Sequence, residues 1–101
     1  MLVGNEKLNI SLVSDALRPV FKKHNIKKAV LFGSVAKESN FVDSDVDILV
    51  DSGLKGLKFL GLVEDMHLAL NKPVEVFDVS HIKKGSKAES EIKNTGVLIY
   101  D

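Results

Sequence analysis

Two short apolar runs, residues 29–32 and 46–50, stand either side of a polar stretch that begins at Gly33-Ser34 and ends at Asp45-Val46-Asp47. Both runs read as strands, so the chain must build a sheet with acidic residues at the start of one of its strands. Side chains alternate across a strand, which puts Asp45 and Asp47 on one face and Val46, Ile48 and Val50 on the other. Like charges that close repel and raise each other's pKa. The arrangement is costly without a cation between them, and hard divalent metals take carboxylate oxygens. The Gly33-Ser34 turn could offer backbone N–H groups and a hydroxyl to a phosphate. Together these features read as a site for a metal-bound nucleoside triphosphate.

Around these strands the periodicity is legible. Ile10, Val13, Leu17, Val20 and Phe21 recur at helical spacing over residues 10–24, with Asn9 or Ser11 as a cap and Asn25 as a stop. Pro19 inside this run removes a backbone donor, so a kink or brief break is expected there. Gly53 and Gly56 mark a turn before a broad apolar stripe, Leu57, Phe59, Leu60, Leu62, Val63, Met66, Ala69 and Leu70, that ends near Asn71. Pro73 precedes a strand over residues 74–79, where Pro is tolerated at the start. Ser86-Lys87-Ala88-Glu89 matches a capping box that opens a short helix to about Asn94, with Gly96 beyond its end. Residues 97–100 form a last strand. The expected order is helix, strand, strand, helix, strand, helix, strand.

At 101 residues the chain is expected to be one domain, residues 1–101. Fourteen basic and fourteen acidic side chains leave no net charge, which argues against generic nucleic-acid binding. The lysines at 22, 23, 27 and 28, and at 83, 84 and 87, read as solvated surface. No stretch is long and apolar enough for a membrane span, and residues 1–7 lack the layout of a secretion signal. The absence of cysteine excludes disulfides and thiolate metal sites, and is compatible with a cytoplasmic location.

A third carboxylate could join Asp45 and Asp47. In the strand over 74–79, Val74 and Val76 share a face and Glu75 lies on the other. If that strand neighbours the one at 46–51, Glu75 completes the cluster. Asp78 is the other candidate, although its parity places it with the core-facing valines. An EF-hand fails because Ile48 stands where Gly is required and Leu54 where the closing Glu belongs. A Walker A loop is absent as well. His24, His67 and His81 match no ligand spacing and are expected at surface or boundary positions.

Gly33-Ser34, ten residues, then Asp45-x-Asp47 resembles the signature of the DNA polymerase beta-like nucleotidyltransferases, and most closely their stand-alone minimal members, the MNT antitoxins. The resemblance extends over about nine tenths of the chain. It implies an α+β, two-layer fold: a small mixed β-sheet with helices packed on one side. It also implies catalytic, metal-binding carboxylates at Asp45, Asp47 and Glu75 holding two Mg²⁺ ions, ATP as substrate, and nucleotide binding by Gly33, Ser34 and Lys37. The implied reaction transfers AMP to a hydroxyl. Such proteins work beside HEPN-domain toxins, so a small helical toxin is the expected acceptor, with homo- or hetero-oligomers expected.

The chain departs from its relatives at one place. They commonly continue Ala-Arg-Gly-Glu, whereas this chain has Ala36-Lys37-Glu38-Ser39. That departure motivates a second reading, a catalytically degenerate module that neutralises a partner by covering it. A third is a nucleotidyltransferase acting on a small molecule such as an aminoglycoside. The short chain counts against it, because no acceptor domain is evident.

Overall fold

In the computed structural model, which describes residues 9–33, 35–36 and 46–101, a four-stranded sheet carries three helices. Helix α1 (Ile10–Lys23) begins at Asn9, whose side chain accepts the Leu12 N–H at 2.9 Å, as an N-cap should. A kink or brief break was expected at Pro19; the helix continues through it without a break. Asp15 and Pro19 both face solvent, so water can serve the carbonyl that proline leaves without its helical donor. Asn25 follows with φ +56°, the left-handed turn that ends the helix.

Strands β1 (Lys28–Phe32) and β2 (Val46–Asp51) pair antiparallel, with Phe32 opposite Asp47. Helix α2 (Leu57–Leu70) then crosses over to β3 (Val74–Asp78), which lies parallel to β2. Asn71 closes α2 in the left-handed conformation. The third strand stops one residue short of expectation because Val79–His81 turn into a single 3-10 turn. Helix α3 (Lys87–Thr95) leads into β4 (Val97–Tyr100), antiparallel to β1 and bulged opposite Ala29 and Val30. The sheet order is β3-β2-β1-β4.

The core lies between one sheet face and the two long helices. Helix α1 contributes Val13, Leu17 and Phe21, and α2 contributes Leu62, Met66 and Leu70, each a stripe at i, i+4, i+8. Ala29, Leu31, Val46, Ile48, Val50 and Val74 meet them from the sheet. Leu57 and Leu60 of the broad apolar run stay exposed, as does Leu68 on the same helix. Ser14 donates to the Ile99 carbonyl at 3.1 Å, satisfying the bulged strand from α1. The mixed sheet with its long helices on one side is the expected layout. The short α3 instead approaches Val30, on the face that the core does not use.

Candidate active site

The alternation expected of β2 holds: Val46, Ile48 and Val50 are buried, and Asp47 and Leu49 turn to the other face. In β3, Val74 is buried and Glu75 exposed. Parallel pairing sets Asp47 opposite Glu75, and neighbouring strands lie about 4.8 Å apart. The two carboxylates therefore sit side by side on one sheet face.

Both line a cavity of about 430 Å³ together with Phe32, Gly33 and Phe77 from the sheet side, and Lys87, Ala88 and Glu91 from α3. Phe32 and Phe77 pack with ring centroids 5.7 Å apart, giving the acidic end of the face an apolar flank. Lys87 supplies a positive charge facing the same space, although the sequence presents it only as one of a surface trio. At 87, 88 and 91 the cavity-facing positions follow a helical repeat, but nothing in that repeat says which strand the helix will cover.

Gly33 has φ +81°, and a Cβ there would lie 2.5 Å from Asp47 Oδ2, so the carboxylate would have to move aside. The glycine lets the backbone of the turn close onto the carboxylate. Its own N–H, expected to face a phosphate, instead donates to Thr95 Oγ1 at 2.8 Å. Val35, two residues on, is fully buried in the core. Ser34, Lys37 and Asp45 lie outside the described residues. Among the described residues no three His, Cys, Asp or Glu side chains form a metal-holding group.

Asp78 has a different task. It is 4% exposed and accepts from the N–H and hydroxyl of Ser52, at 3.0 and 2.6 Å, and of Ser80, at 3.0 and 2.7 Å. Burial by itself pushes this carboxyl upward; the four hydrogen bonds outweigh it and hold the pKa well below the usual carboxylate range. Its backbone N–H donates to His81 Nδ1 at 3.2 Å, completing a reciprocal cap. Asp78 thus clamps the end of β3 to the residue after β2, on the side away from the cavity.

The remaining histidines are also structural. His24 Nε2 meets Asp65 Oδ2 at 2.7 Å, and Lys23 reaches the same oxygen at 3.1 Å, tying the end of α1 to α2. The hydrogen bond from His24, and then that from Lys23, lowers the Asp65 pKa. His67 Nε2 donates to the Val74 carbonyl at 2.9 Å.

A family model described as "Polymerase beta, Nucleotidyltransferase" matches residues 15–101. The chain belongs to that family. A relative from Methanocaldococcus jannaschii, described as "Putative protein adenylyltransferase", is 35% identical over 78 residues, spanning 74% of this nucleotidyltransferase and 83% of the relative. Among solved structures, a chain from a toxin–antitoxin complex with AMP-PNP superimposes with a TM-score of 0.69 at 18% identity, over 86% of this chain and 72% of its own. A chain from the complex of tri-AMPylated Shewanella oneidensis HEPN toxin with MNT antitoxin gives 0.64 at 18% identity, over 90% and 71%. At such identities these structures establish the shared nucleotidyltransferase fold. Among the described residues no helix is long and apolar enough to cross a membrane.

Proposed function

We propose that this nucleotidyltransferase transfers AMP from ATP, with Mg²⁺, to a hydroxyl on a small helical HEPN-type toxin, and so acts as an antitoxin. The observation that carries the reading is the pairing of Asp47 with Glu75 across adjacent parallel strands, over the cavity that Gly33 and Lys87 also line. Two carboxylates in register are the hard-oxygen donor set that Mg²⁺ takes, and Asp45, two residues before Asp47 in the sequence, is the third donor we propose. The protein name carried by the Methanocaldococcus relative and the AMPylated HEPN toxin in the Shewanella complex support the choice of AMP and of a protein acceptor. The exposed Leu57, Leu60 and Leu68 suit a protein partner better than a small molecule. A cytoplasmic location, where ATP is plentiful, goes with this reading.

In this mechanism Asp45, Asp47 and Glu75 would hold the metal. Magnesium bound there would neutralise phosphate charge and lower the pKa of the acceptor hydroxyl. Ser34 and the Lys37 and Lys87 ammonium groups would hold the outer phosphates, while Gly33, whose own N–H goes to Thr95, lets the triphosphate approach the backbone. Glu75, the exposed carboxylate beside Asp47, takes the hydroxyl proton. The hydroxyl oxygen bonds to the α-phosphorus, the α–β bridging bond breaks, and pyrophosphate carries off the electron pair. Phe32 and Phe77 shield one flank from water.

The test incubates the protein with α-labelled ATP, Mg²⁺ and a purified HEPN partner. Label should appear on the partner, and Asp47→Asn should reduce it at least about 100-fold, as removal of a group that positions charge in the transition state does. Tight binding without label, unchanged by Asp47→Asn, would establish the non-catalytic module instead. Label on aminoglycosides alone would establish the small-molecule enzyme.

A further inference from the structure

We infer that Thr95 is a positioning residue whose hydroxyl anchors Gly33 and so sets the turn that receives the triphosphate, a role that rests on the nucleotidyl-transfer reading. Thr95 is the last residue of α3, and its hydroxyl donates to the Glu91 carbonyl one turn back at 2.7 Å. That bond orients the oxygen and leaves its lone pairs to accept the Gly33 N–H at 2.8 Å. The linkage spans 62 residues of sequence and joins the helical wall of the cavity to its signature turn.

Gly96 makes the approach possible. Its φ of −61° would suit any residue, but a Cβ there would collide with the Ile92 carbonyl oxygen and stand 3.1 Å from Val30 Cγ1. Without that side chain, the end of α3 settles against β1 closely enough for Thr95 to reach Gly33. Val35, two residues after Gly33, is itself fully buried. Gly33 is also confined by Asp47, whose carboxylate occupies the space a side chain would need. A shift of Gly33 therefore changes the backbone at the edge of the cavity and the neighbouring carboxylate together, which is how a residue off the reacting atoms can affect substrate binding.

The experiment compares wild type, Thr95→Val and Thr95→Ser by three readouts: Mg·ATP affinity by calorimetry, thermal midpoint, and hydrogen exchange of the Gly33 amide by NMR. Thr95→Val keeps the shape and removes the hydroxyl. It should weaken Mg·ATP binding about 5- to 10-fold, the effect of roughly one lost hydrogen bond, and should speed Gly33 exchange. Thr95→Ser should restore both, since the hydroxyl returns without the methyl. Wild-type affinity in Thr95→Val, or a Thr95→Ser variant as weak as Thr95→Val, overturns the role. Equal loss of midpoint and affinity in both variants likewise reduces Thr95 to a packing residue. A wild-type chain that takes up no Mg·ATP sinks the nucleotidyl-transfer reading and this role with it; wild-type uptake unchanged in Thr95→Val sinks only the role.

Discussion

Asp78 and Glu75 sit three residues apart, yet their surroundings differ: Asp78 is buried and Glu75 is exposed at the cavity. Asp78 is sealed by Ser52 and Ser80, so its negative charge is already compensated by four donors. Asp78→Ala would orphan those donors in a buried place and should cost about 1.5–3 kcal/mol in urea unfolding. The pH dependence has a definite sign. With a folded pKa below the unfolded value near 3.9, Asp78 contributes stability that is present above that value and lost as pH falls towards the folded one. Stability should decline from about pH 5 downward, and Asp78→Asn should flatten that acid limb in unfolding measured between pH 3 and 7. At the cavity, Gly33→Ala meets both a left-handed φ and Asp47 Oδ2. It should cost about 1–3 kcal/mol and abolish label transfer, read by the same assay as Asp47→Asn.

Among the elements, α2 tests how much of an apolar stripe is core. Leu62 is fully buried and Leu60 is 61% exposed, two positions apart on one helix. Leu62→Ala should cost about 2–5 kcal/mol through lost burial and a cavity, while Leu60→Ala should stay within about 0.5 kcal/mol. Measured midpoints that fell equally would contradict this assignment of faces. Helix α3 begins as its capping residues require, with Ser86 accepting the Glu89 N–H at 3.2 Å. The reciprocal half of the box slips by one residue, because Glu89 takes the Gly85 N–H while Ser86 N–H goes to the Lys83 carbonyl. Asp78 and His81 make a complete box that local pattern does not advertise, since His is not the usual partner.

For the whole molecule, the site is assembled where β1, β2, β3 and α3 meet, so ligand uptake should stabilise the fold. Mg·ATP at about 100 times its dissociation constant adds about 2.7 kcal/mol, which for a chain of this size raises the midpoint on the order of 10 °C. EDTA should remove most of that gain in differential scanning fluorimetry. A midpoint indifferent to Mg·ATP would count against the nucleotide reading, whatever the geometry.

The order of the elements, and the placing of Asp47 and Glu75 on one face if their strands are neighbours, were legible in local sequence patterns. Strand parity at 46–50 and 74–76 dictates which side chains can converge, and capping residues Asn9, Asn71 and Ser86 mark helix ends because those rules are local. Long-range packing is what sets β3 beside β2 with Asp47 opposite Glu75, buries Asp78 against Ser52, and brings Thr95 and Lys87 to the Gly33 end of the sheet. Each of these depends on how α2 and α3 lie on the sheet. Their packing is set by contacts between residues distant in sequence, which no local period encodes.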